Sequence, residues 1–160
     1  MENSTLPFDS DRYDAHQNAV AIIMAHFFLR YLNHLYREFE GDLVLPIVLG
    51  EIAHHNIFRF YSHKGRSVEV SEQSMTYSDR TKHLEPTNAF SISQATGIPR
   101  ETVRRKIDKL EKKGWVTKDE EGGLLISDTV STHFTKDLNK KILAELLETS
   151  ENLRDLLKPA

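Results

Sequence analysis

Gly97-Ile98-Pro99, set between two stretches of helical pattern, limits the fold of this 160-residue chain more than any other feature. Ser91 followed three residues later by Gln94 reads as a capping box that starts a helix running through Thr96. Gly97 supplies a left-handed residue to end it. Pro99 suits the first turn of a second helix, where its missing N–H costs nothing and its φ is already helical. Two helices are therefore joined by only a few residues. In the second, Val103, Ile107 and Leu110 fall at i, i+4 and i+7 on one apolar stripe, and Glu101, Arg105, Asp108 and Lys112 lie opposite. Gly114 stops it. Trp115-Val116-Thr117-Lys118 and Leu124-Leu125-Ile126 then flank a turn containing Gly122-Gly123, which is a hairpin signal.

Charge is distributed to match. The chain carries a net −3, which by itself argues against nucleic acid. Yet Arg100, Arg104, Arg105, Lys106, Lys109, Lys112 and Lys113 outnumber Glu101, Asp108 and Glu111 between Pro99 and Lys113. That element has a net +4 and the remainder −7. Basic charge gathered on one helix of an acidic chain is an electrostatic footprint for phosphates. It is equally a solvated helix with i,i+4 ion pairs, and charge alone does not choose.

With the apolar stripe inward, Arg100, Glu101, Thr102 and Arg105 occupy the outward face of the first two turns. Arginine offers a fork to guanine O6 and N7, Glu101 an acceptor for a cytosine amine, and Thr102 a contact to phosphate or a thymine methyl. Arg104, Lys106 and Lys109 lie farther to the sides and suit phosphates. Ser91, Ser93 and the amides that begin their helix could hold a phosphate as well, and Lys118 is the one cation near the hairpin tip. The plainer account of Glu101 and Thr102 is that acids and hydroxyls favour helix starts.

Elsewhere the pattern predicts helices. Residues 1–10 are expected to form a disordered tail, and 11–62 to hold two N-terminal helices. The first starts near Asp11 and ends near Phe39, apolar over more than one face through Val20, Ile23, Met24, Phe27, Phe28, Tyr31, Leu32, Leu35, Tyr36 and Phe39. Such a helix needs two surfaces to bury against, its own core and a second subunit. The second is opened by Asp42 and Pro46 and buries Ile47, Val48, Ile52, Ile57 and Phe58, with Glu51, His55 and Arg59 toward solvent. Residues 63–87 read as a polar connecting segment, in which a short helix between Ser71 and His83 is left open. After the two-helix and hairpin module of 88–127, Ser127 or Asp128 caps helices over 128–160. Their stripe runs Val130, Phe134, Leu138, Ile142 and Leu146 and continues at Leu153, Leu156 and Leu157, with a break at Thr149-Ser150 left open.

The stretch GIPRETVRRKIDKLEKKGWV followed by a Gly-Gly hairpin resembles the winged helix-turn-helix domains of bacterial transcriptional regulators. The order of helices before and after it is similar to the MarR family. The resemblance implies a mostly α fold with a small β-hairpin, flanked by N- and C-terminal dimerisation helices. It also implies a homodimer on double-stranded DNA, with a recognition helix in each of two major grooves. One departure stands out: the wing tip is Asp119-Glu120-Glu121-Gly122-Gly123, where that family usually carries arginine. Phosphates repel such a tip, so it is expected to stand clear of DNA or to contact something else.

Enzyme chemistry has no motif here: no nucleophile elbow, no Gly-rich phosphate loop and no HExxH. Without cysteine there is neither a disulfide nor a thiolate metal site. His54 and His55 diverge by about 100° on a helix, so neither they with His63 nor His26 with His34 makes a strong metal set. No cofactor is expected. The N-terminus is acidic without an apolar run, and no stretch reaches the ~20 apolar residues that cross a bilayer, which points to the cytoplasm. Two further readings stay open. One is a protein-interaction scaffold that keeps the fold and has lost DNA reading. The other is a regulator responsive to a metal or to a small-molecule effector held near Phe27, Tyr31, Phe58 and Tyr61.

Overall fold

The computed structural model of the chain describes residues 7–63 and 84–158, apart from the side chains at 57–63, 131, 132 and 135. The fold is mostly helical with one two-stranded antiparallel hairpin. The elements in chain order are α1 (Ser10–Glu38), α2 (Val44–His63), α3 (Ala89–Thr96), α4 (Arg100–Lys112), β1 (Val116–Lys118), β2 (Leu124–Ile126), α5 (Asp128–Lys136) and α6 (Leu138–Leu157). They divide into two compact units. One comprises the chain up to Glu38 together with Thr135 onward, and the other is Phe39–Phe134.

In the unit of Phe39–Phe134, α2 supplies the central stripe. Leu45, Val48, Leu49 and Ile52 fall at i, i+3, i+4 and i+7 and are buried, with Asn56 continuing the same face. Ile47, expected inside, is 52% exposed. Val48 and Ile52 are buried as expected; the first turns of α2 are apolar on several sides, so periodicity alone does not separate Ile47 from Leu45 and Leu49. Glu51 and His55, expected toward solvent, are half-buried; Ile57, Phe58 and Arg59 lie outside the described side chains. Ile92 from α3 and Val103, Ile107 and Leu110 from α4 complete the core with Val116 and Leu124 of the hairpin. Each such side chain contributes about 1.5–3 kcal/mol by leaving water.

The polar Asn56 is fully buried within that core. Its side-chain amide donates to the carbonyls of Glu85 (2.6 Å) and Leu124 (3.0 Å), and its oxygen accepts from the amide of Ile126 (2.9 Å). One side chain thereby ties α2 to β2 and to the segment entering α3, satisfying backbone groups that burial would otherwise leave unpaired.

The hairpin pairs Val116 with Ile126, Thr117 with Leu125 and Lys118 with Leu124. On its other edge Thr87 bridges Leu124 through a mutual pair of backbone hydrogen bonds, of 3.2 and 2.8 Å. The end of the polar segment expected at 63–87 is thus part of the sheet, while 64–83, including the open helix at 71–83, lies outside the described residues. Phe39, Trp115 and Phe134 close the unit: Phe39 stacks on Phe134 at 5.5 Å and meets Trp115 edge-on at 5.6 Å.

In the other unit α1 packs along α6. Asp9, within the 1–10 tail, meets the start of α1 and the end of α6. The Asp9 carboxylate accepts from the amide of Arg12 at 3.0 Å and caps α1, and the Arg12 guanidinium donates to the carbonyl of Leu156 at 3.1 Å. A non-helical residue, His16, kinks α1 after its first turns. The C-terminal break falls at Asp137, not at Thr149-Ser150. The Thr149 hydroxyl bonds the carbonyl of Glu145 one turn back at 2.6 Å, a pairing that leaves the helix intact.

Candidate nucleic-acid interface

The α3–α4 corner is built almost entirely by local hydrogen bonds. Its start lies three residues earlier than the capping box suggests. Asn88, not Ser91, is the cap, its side-chain oxygen accepting from the amides of Phe90 and Ser91 at 3.0 Å each. Asn is as good a cap as Ser, and it adds a full turn to the short helix. Gly97 ends α3 with φ +71°, and its amide reaches the carbonyl of Ser93. The turn is then pinned from inside α3: the Ser93 hydroxyl donates to the carbonyl of Ile98 (2.7 Å), and the Thr96 hydroxyl accepts from the amide of Ile98 (3.2 Å). Pro99 serves as the cap of α4 with ψ 135°, one position before the first turn expected for it. At the far end Gly114, at φ +70°, closes α4. Its amide bonds the carbonyl of Glu111 and that of Trp115 bonds Leu110, both at 2.9 Å. This Schellman pair satisfies carbonyls that a helix end leaves open and aims the chain into β1.

On α4, Val103, Ile107 and Leu110 point inward as the spacing predicts. The basic residues, uniform in the sequence, separate into two groups. Lys106 and Lys109 turn to Asp42 in the segment between α1 and α2, at 2.8 and 3.4 Å, and Lys113 reaches Glu40 in the same segment at 2.8 Å. Lys118 is held by Glu111 at 2.9 Å. Burial works to raise the carboxyl of Asp42, but hydrogen bonds and charge from Lys106 and then Lys109 outweigh it and hold the group below the ordinary carboxylate value. The hydrogen bond and charge of Lys113 likewise lower Glu40.

The second group faces outward at the start of the helix. Arg104 pairs with Glu101 on its own helix at 3.2 Å, and Arg105 approaches the Thr102 hydroxyl at 3.4 Å. The guanidinium carbon of Arg100 lies over the Phe90 ring, 5.9 Å from its centroid. Arg100, Arg105 and Lys112 have no carboxylate partner among the described residues. Of the expected phosphate contacts, Ser91 and Ser93 are half-buried, and Ser93 is engaged in the turn.

The hairpin tip is less acidic toward solvent than its sequence suggests. Asp119 folds back to accept from the amides of Glu121 (3.0 Å) and Gly123 (2.6 Å), leaving Glu120 and Glu121 exposed. A side chain at Gly123 would stand 2.5 Å from the Pro86 Cβ and 2.7 Å from the Asp119 carboxylate, so only glycine fits.

Of the four residues expected near an effector, two have described side chains. Phe27 and Tyr31 stack at 6.2 Å, but the side chains of Phe58 and Tyr61 lie outside the described residues. Phe27 lines a cavity of about 200 Å³ between α1 and α6, together with Ile22, Ile23, Arg30 and Glu145. His34 meets Glu145 across the two helices at 3.1 Å, and His26, which also lines the cavity, contacts Arg30 at 3.3 Å. Among the described residues no group of three or more His, Asp or Glu side chains is placed to hold a metal, and no helix is long and apolar enough to cross a membrane.

Comparison of the chain with protein-family models, with curated proteins and with solved structures gives no match in any of the three.

Proposed function

We propose that Phe39–Phe134 is a winged helix-turn-helix module that reads double-stranded DNA by sequence, and that the chain acts as a homodimeric transcriptional regulator of MarR-like arrangement in the cytoplasm. The observation that carries this reading is the sorting of charge on α4. Its flank is neutralised by Asp42 and Glu40, while Arg100 and Arg105 stand outward at its start with no carboxylate partner among the described residues. The first turns of a helix entering a major groove meet the base edges, which is where Arg100 and Arg105 stand, while its inner face stays in the core. The β2 bridge to Thr87 supports it further, since it fixes the segment entering α3 to the hairpin.

The homodimer is supported by the apolar face of α1. Ile22, Leu29 and Tyr36 recur every seven residues, with Leu32 between, and all four are exposed beside Leu143, Leu146 and Leu147 of α6. A seven-residue apolar repeat is the seam along which helices pair.

Selection of bound duplexes from a random pool tests the function directly. The expected result is a palindromic site whose affinity falls steeply with salt. Arg100→Ala and Arg105→Ala are each expected to weaken that site by about 1–3 kcal/mol while leaving unrelated DNA nearly unchanged. Absence of salt-dependent binding to any duplex overturns the reading in favour of a protein-interaction scaffold, for which the exposed Glu120 and Glu121 are the natural contact.

A further inference from the structure

Phe90 is 54% exposed at the second position of α3. Its backbone is held by the Asn88 cap, and the turn that follows is pinned at Ile98 from Ser93 and Thr96. Arg100, the first residue of α4, lies over its ring and has no carboxylate partner among the described residues. In water this contact is worth little, and it leaves a large apolar ring in solvent. Against DNA the same arrangement has a use. A guanidinium that forks onto guanine O6 and N7 places whatever lies against it beside the neighbouring base pair. The apolar group that a major groove presents there is the C5-methyl of thymine.

Resting on the DNA-reading function proposed above, we propose that Phe90 and Arg100 form a two-residue reader for a guanine adjacent to a 5-methyl pyrimidine. Arg100 supplies the guanine contact. Phe90 positions its guanidinium and covers the methyl group of the neighbouring thymine.

The test uses the full chain and the duplex chosen from the random pool, with each thymine replaced in turn by deoxyuridine, which removes only the methyl group. Binding is measured by fluorescence anisotropy. One replacement, next to a guanine, is expected to weaken the wild-type protein about fourfold, the value of burying one methyl-sized group. Phe90→Ala should bind the thymine and deoxyuridine duplexes alike. Phe90→Leu should retain part of the difference, and Arg100→Ala should lose the preference for the guanine. Thermal melts of each variant check folding. A selected site that is insensitive to every replacement, or a penalty that persists in Phe90→Ala, overturns the reader while leaving DNA recognition standing. A pool that yields no salt-dependent binding overturns both.

Discussion

The two units of this chain bury their apolar side chains to very different degrees. Phe39–Phe134 encloses Leu45, Val48, Ile52, Ile92, Val103, Leu110 and Val116, each at or below 2% exposure, and leaves Ile47 and Phe90 as its large exposed apolar groups among the described residues. The α1–α6 pair buries Val20 and Leu157, yet exposes Ile22, Met24, Phe28, Leu29, Leu32, Tyr36, Leu143, Leu146 and Leu147. One unit has a core of its own. The other has two helices and a surface that suits a further partner, because a pair of helices offers too little interior to cover its own apolar residues. On the proposed homodimer, the first unit would carry the stability of the fold and the second its assembly.

The sharpest way to break that contrast is to cut one apolar side chain from each. Leu110→Ala is expected to destabilise the fold by about 2–5 kcal/mol, since it empties a fully buried site, and the loss should be the same at all protein concentrations. Leu29→Glu, at a position 62% exposed, should leave the unfolding of dilute protein unchanged but convert a dimer to a monomer. Sedimentation equilibrium and melts across a concentration series measure both. If Leu29→Glu changes neither mass nor concentration dependence, α1 is not an assembly surface.

Asn56→Ala probes what binds the core unit together apart from apolar burial. The amide of Ile126 and the carbonyl of Glu85 would lose their side-chain partner, whereas the Leu124 carbonyl keeps the amide of Thr87. A loss of about 2–4 kcal/mol is expected in denaturant unfolding, with faster amide exchange in β2 than in α4. A loss below about 1 kcal/mol would mean that water replaces the side chain and that the clamp is dispensable.

What could be read in advance follows the distance over which each feature acts. The corner at Gly97, the α4 stripe, the stop at Gly114 and the hairpin strands are local, and their residues announce them. On α2 the pattern places Val48 and Ile52 inside but not Leu45 and Leu49 in preference to Ile47, because Ile47 is as apolar as they are and only the location of neighbouring elements decides between them. The cap at Asn88 was displaced because Ser91 and Gln94 satisfy the same rule three residues later. Nothing within reach of Asn56 in sequence points to Leu124 or Ile126. The candidate interface divides in the same way: the arginines and lysines of α4 were legible as a basic helix, but their sorting depends on Asp42, 64 residues from Lys106.

That long-range partner yields the smallest but most discriminating expectation. With its carboxyl held below the ordinary value, Asp42 stabilises the folded protein above a pH of about 4, and the contribution is lost as the pH falls through the lowered folded value. Asp42→Asn should therefore cost about 1–2 kcal/mol at neutral pH, discounted for the partial exposure of Lys109, and nothing measurable once both proteins are in acid. The same change releases Lys106 and Lys109. If α4 lies against phosphates, the variant should bind all duplexes several-fold more tightly, and its salt dependence should steepen by up to about two charges. Weaker core and stronger binding in one substitution would show that Asp42 sets how much of the basic helix is available to DNA. A stability loss with unchanged affinity and salt slope would confine Lys106 and Lys109 to holding α4 against the α1–α2 connection, leaving recognition to Arg100 and Arg105.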